Sequence, residues 1–125
     1  MSIPAKKKVS RQEFDQMVAD TDERLEWIEG VVFMSPSPPA RHHRISGRIH
    51  ANLFSVLEGQ ACEVFHAPFD VELSNEEVEE TQVVIPDLSV ICDKDGLGEQ
   101  KYVGVPSVIV EILSPSNQSH DLVTN

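Results

Sequence analysis

Apolar residues recur along this chain with two different periods, and the change of period sets its outline. Ser10 followed by Glu13 forms a capping-box pattern ahead of Phe14, Met17 and Val18 at helical spacing. This predicts a first helix from about Ser10 to Ala19. Leu25 to Met34 reads as two short strands around Glu29-Gly30, a hairpin turn signal. Ser35 to Pro39 is proline-rich and breaks the pattern. From Ala40 to about Leu57, Ile45, Ile49, Leu53, Val56 and Leu57 fall on one helical face, with Gly59 as C-cap. Extended segments follow: Cys62–Ala67 and Phe69–Leu73, with a bend at Pro68, and then Val83–Cys92, interrupted by Pro86. Asp93–Gly104 reads as a loop or short helix. Val108–Leu113 is a compact apolar strand of the kind found in a sheet covered on both sides. Helix, hairpin, helix and then strands predict an α/β fold, a mixed sheet with helices packed on it.

The chain has 125 residues, enough for one domain with a core of its own. No apolar run is long enough to cross a membrane, and no signal peptide opens the chain, so a cytoplasmic location is the default. Lys6, Lys7 and Lys8 read as part of a short arm. Ten basic against 21 acidic residues give a net charge of −11, which argues against binding nucleic acid through a broad basic surface. It leaves room for an enzyme that meets phosphates through a divalent metal. Glu76, Glu77, Glu79 and Glu80 read as a solvated acidic loop. Cys62 and Cys92 lack CxxC or Cys/His spacing, so neither a disulfide framework nor a zinc site is expected, and Cys92 reads as a small buried residue.

Asp87 and Glu111 change the picture most. Each is a single acid within an apolar strand, Val84–Ile91 and Val108–Leu113. A lone buried carboxylate is costly unless it is paired, hydrogen-bonded or bound to a metal. Two carboxylates are a common protein share of a magnesium site, where the ion can activate water and stabilise charge on a phosphodiester. The pattern equally fits two acids at strand ends facing water. Among the histidines, His42 near a helix start fits either a phosphate contact or a helix cap. His43 and His50 could share a face, but nothing completes a zinc set with them. His66 reads as a core or strand-edge residue. Glu26 and Glu29 fit a solvated hairpin face.

Several short segments occur in a fixed order: Leu25–Gly30, Met34–Pro38, Arg41-His42-His43, Phe69-Asp70-Val71, Pro86–Val90, Glu111–Ser116 and Asp121. Together they resemble a large bacterial family of restriction-endonuclease-like proteins of unknown function, within the PD-(D/E)XK superfamily. The resemblance covers nearly the whole chain. It implies a restriction-endonuclease-like mixed sheet flanked by helices, with an N-terminal helix and hairpin. It also implies Mg2+ or Mn2+ as cofactor, DNA as substrate and a homodimer. Carried over by position, Asp87 and Glu111 would hold the metal. Asp70 would be a third acid, Glu26 a supporting acid and His42 a substrate contact.

The sequence departs from that pattern at the lysine. Leu113 stands two residues after Glu111, where the superfamily signature has lysine. The family's alternative lysine position, four residues after Asp121, is Asn125. Neither side chain can polarise an attacking water or steady the transition state, and Lys94 and Lys101 are the nearest substitutes in sequence. The expectation is a single domain over residues 1–125 lacking its C-terminal helix and strands, with an exposed sheet edge and impaired turnover. Two other functions fit the same residues: a non-catalytic binding or assembly protein that keeps the fold, and a metal-dependent hydrolase of a small substrate.

Overall fold

A computed structural model describes residues 7–35, 37–74 and 81–113. The acidic loop and the segment with Asp121 and Asn125 lie outside the described residues.

Helix α1 spans Arg11–Ala19 and begins with the expected capping box: the Ser10 hydroxyl accepts from the Glu13 N–H, and the Glu13 carboxylate from the Ser10 N–H. Strands β1 (Arg24–Ile28) and β2 (Val31–Ser35) pair antiparallel around Glu29 and Gly30. Both turn residues have positive φ, 51° and 81°, as a two-residue turn matched to strand twist requires. Alternation along β1 buries Leu25 and Trp27 against Phe14 and Val83. That leaves Arg24, Glu26 and Ile28 on the opposite face.

Helix α2 spans Ala40–Leu57, as the periodicity predicts. Its packing stripe is narrower than expected. Ile49, Leu53 and Leu57 pack into the core, whereas Ile45 and Val56 are exposed. The remaining strands are β3 (Glu63–His66), β4 (Asp70–Leu73), β5 (Gln82–Val84), β6 (Leu88–Ile91), β7 (Lys101–Gly104) and β8 (Val108–Val110). Pro68, in a cis peptide, makes the bend between β3 and β4.

These strands form two sheets, β2-β1-β5-β4-β7 and β3-β6-β8. The expected Val83–Cys92 strand is therefore two strands in different sheets. Pro86 cannot donate to a ladder, so the chain leaves one sheet and joins the other around it. β6 is buried along its whole length. Leu88 and Val90 meet α2, and Ile91 meets Val71 and Tyr102 of the five-stranded sheet. The expected mixed sheet with flanking helices thus holds, as two sheets rather than one. Within the segment expected to be a loop or short helix, a short 3-10 turn forms at Lys94–Gly96, and β7 pairs parallel to β4. Its alternating exposed and buried residues bury only Tyr102 fully, and charged and glycine neighbours hide the signal.

Two expectations are overturned. Among the described residues Val108–Val110 is an edge strand, with Val108 48% and Ile109 40% exposed; an apolar run does not by itself report cover on both faces. Cys62 and Cys92 form a disulfide. Glu63 pairs with Ile91 across β3 and β6, so the two cysteines face each other one step further along the ladder. Spacing in sequence could not show that register.

Candidate active site

Asp87 and Glu111 are brought together by the pairing of β6 with β8. Leu88 lies opposite Val110, which places the two acids at the next step of the same antiparallel register. Asp87 is 8% exposed. Its Oδ2 accepts the Ile112 N–H at 2.7 Å, and its Oδ1 accepts from His42 Nε2 at 3.0 Å. Its backbone carbonyl accepts the Ala67 N–H at the bend. Three chain segments are therefore tied to one aspartate.

Glu111 stays open to solvent on one side, yet its carboxyl is pushed up to about 8. Desolvation is the largest cause, followed by the charges of Asp87 and Glu26 and a hydrogen bond with Asp87; Arg24 opposes them. Glu26 joins from β1. Its Oε2 accepts the Ile85 N–H at 2.7 Å. Burial raises its pKa, the Ile85 N–H and Arg24 lower it, and Asp87 raises it. Glu26 is thus turned inward, while Glu29 lies in the exposed turn.

The raised Glu111 group has a consequence for stability. The folded chain holds the Glu111 proton between about 4.5 and 8, whereas the unfolded chain releases it above its ordinary value. Stability from this group is therefore complete below about 4.5, is lost as pH rises through about 8, and then levels off. Solvent screening keeps the effect under about 1 kcal/mol. In chelator, Glu111→Gln should melt a few degrees above wild type at pH 8.5 and with it near pH 4.5. Parallel melting curves across that range would contradict the crowding.

His42 lies in the first turn of α2, buried to 7% exposure. It caps nothing; Pro39 is the N-cap and has no side-chain cap bond. Its Nδ1 is buried without a hydrogen-bond partner among the described residues. His42 is thus buried against the Asp87 carboxylate. Asp70 lies in β4 beside Lys101. Burial raises its pKa and Lys101 opposes the rise, and it is not among the groups acting on Glu111. Lys94 is paired with Glu63 at 3.3 Å and Lys101 with Glu72 at 3.2 Å. Leu113 is 57% exposed. His50 and His66 pack edge to face, with ring centroids 5.1 Å apart. Arg24 carries no sequence signal except its spacing of two from Glu26 on one strand.

No three His, Cys, Asp or Glu side chains among the described residues converge as a complete metal cage. Two carboxylates leave the remaining positions of a hard cation to water and phosphate oxygens, as is usual for magnesium. Two acids set opposite each other by the β6–β8 register, with the charge of Asp87 raising Glu111, mark a place where a divalent cation would relieve repulsion, and in this respect the donor set fits.

A family model described as "Putative restriction endonuclease" matches residues 11–125. The chain belongs to the Uma2 family. An uncharacterized Synechocystis protein, slr1290, is 26% identical over 114 residues, covering 91% of this Uma2 chain and 58% of the relative. A crystal structure from Anabaena variabilis, described as a putative nuclease belonging to DUF820, superposes with a TM-score of 0.62 at 21% identity. That match covers 82% of this chain and 57% of the other. The Uma2 chain thus spans somewhat over half the length of these two relatives, and the nuclease-like fold is common to it and the crystal structure.

Proposed function

We propose that this chain carries the nuclease-like domain of a divalent-metal-dependent endonuclease that hydrolyses DNA phosphodiester bonds. Asp87 and Glu111 are its Mg2+ or Mn2+ ligands. The observation that carries this reading is the placement of Asp87 and Glu111 opposite each other at adjoining strand ends, where burial and the charge of Asp87 raise the Glu111 carboxyl. A bound cation would supply Lewis-acid polarisation of a phosphoryl oxygen and charge neutralisation. His42 and the Ile112 N–H orient Asp87, and the Ile85 N–H orients Glu26 as a supporting acid. Asp70, beyond the direct contacts, is the outlying acid. The net charge of −11 makes the local site, rather than the surface at large, the place where a phosphate is met.

A cytoplasmic location and a homodimer belong to the same reading, with the apolar β8 edge as the surface a second copy would cover. In a reducing cytoplasm, Cys62 and Cys92 are expected as thiols. Among the described residues no helix is long and apolar enough to cross a membrane.

The test is nicking of supercoiled plasmid in Mn2+ by this chain, by the chain extended to the length of its relatives, and by Asp87→Ala and Glu111→Ala of each. Metal-dependent nicking lost in both variants is expected, slow in the chain alone. A second reading, a binding or assembly protein that keeps the fold, is favoured by Leu113 at the signature lysine position. Absence of nicking by the extended protein would select it.

A further inference from the structure

Phosphodiester hydrolysis at this site needs a positive side chain that the candidate lysines do not provide. Lys94 and Lys101 are engaged with Glu63 and Glu72. With Asp87, Glu111 and Glu26 ionised, a single divalent cation leaves the cluster with net negative charge. Such a cluster repels a phosphate and repels the transition state more strongly.

Arg24 is placed to change that balance. It lies two residues before Glu26 on β1, and strand alternation puts both on the face opposite Leu25 and Trp27. Its cross-strand partner is Ser35, close in sequence to the start of α2, where His42 holds Asp87. The Arg24 Nε is shielded from solvent and has no hydrogen-bond partner among the described residues. Arg24 also makes no ion pair among them, although its charge acts on both Glu26 and Glu111. A buried donor left without an acceptor is costly. A guanidinium beside carboxylates yet not locked to one keeps its planar fork for another acceptor, and phosphate fits that fork.

We propose that Arg24 contacts the scissile phosphate and supplies the positive charge of this site, taking the part that Leu113 cannot play. The proposal rests on the reading of Asp87 and Glu111 as cation ligands. The opposing possibility is a counter-ion that merely steadies Glu26 and Glu111.

Ca2+, which holds such sites without supporting turnover in many nucleases, separates the two parts of the claim. Calorimetry with Ca2+ alone reads the cation site. Fluorescence anisotropy of a short DNA duplex in Ca2+ reads phosphate recognition. Wild type is expected to bind both, and Glu111→Gln to lose both. Arg24→Met is expected to keep the cation, with fewer positive charges to oppose it, while duplex affinity falls about tenfold or more. Arg24→Lys should recover part of the loss, since the charge remains and the fork does not. Arg24→Met binding the duplex as wild type does overturns the proposal, as does a wild type that binds Ca2+ but no duplex. Ca2+ binding unchanged in Glu111→Gln, or absent from wild type, instead sinks the cation site and the inference built on it.

Discussion

Asp87→Ala is expected to destabilise this chain by about 2–4 kcal/mol, the sum expected when two buried donors lose a charged acceptor. The Ile112 N–H and His42 Nε2 both point at the Asp87 carboxylate, and neither has another partner nearby in the described hydrogen bonds. Against this runs the relief of repulsion on Glu111, which is smaller because Glu111 is solvent-facing. Chemical denaturation of Asp87→Ala beside Asp87→Asn checks it. The asparagine keeps an acceptor for Ile112 and should retain most of the stability. Equal losses in the two variants would mean that the hydrogen bonds are not what Asp87 contributes to the fold.

Reduction of the Cys62–Cys92 bridge is the second large effect. The bridge closes a loop with a sequence separation of 30. In the chain-entropy account, a loop of that length is worth about 3.7 kcal/mol. For a domain of this size that corresponds to a melting shift of about 14 °C. Scanning calorimetry with and without a phosphine reductant, beside the Cys62→Ser/Cys92→Ser double variant, measures it. Oxidised wild type should melt highest, and the reduced protein and the double variant should melt together. Coincident traces for oxidised and reduced wild type would contradict the estimate. The bridge ties the ends of β3 and β6 beside the residues that seat α2, so loosening it acts on the element that carries His42.

Much of this architecture is local and therefore legible. The capping box of α1, the Glu29-Gly30 turn and the period of α2 are short-range patterns, and each appears where its residues predict. The misses are long-range. Whether Pro86 bends one strand or separates two depends on which sheet accepts Val83 and which accepts Leu88. Whether Val108 and Ile109 are covered depends on what lies across the sheet. Whether Cys62 meets Cys92 depends on a register fixed by β3 and β6 packing under α2.

The candidate site divides in the same way. Asp87 and Glu111 stand out in sequence because acids are rare in apolar strands, and the structure seats them in one register. Glu26 is visible as an acid but not as an inward one, since hairpin alternation does not say which face is covered. His42 carries a helix-start signal, and only the fold turns it toward Asp87. Arg24 shows nothing until Glu26 is known to face the site.

The central claim is that Asp87 and Glu111 together bind a divalent cation. Isothermal titration of Mn2+ into the chain at pH 8 tests it most directly, beside Asp87→Asn and Glu111→Gln, which preserve side-chain shape. One saturable site in wild type that is lost from both variants is the predicted result. Binding of equal strength in all three proteins would contradict it.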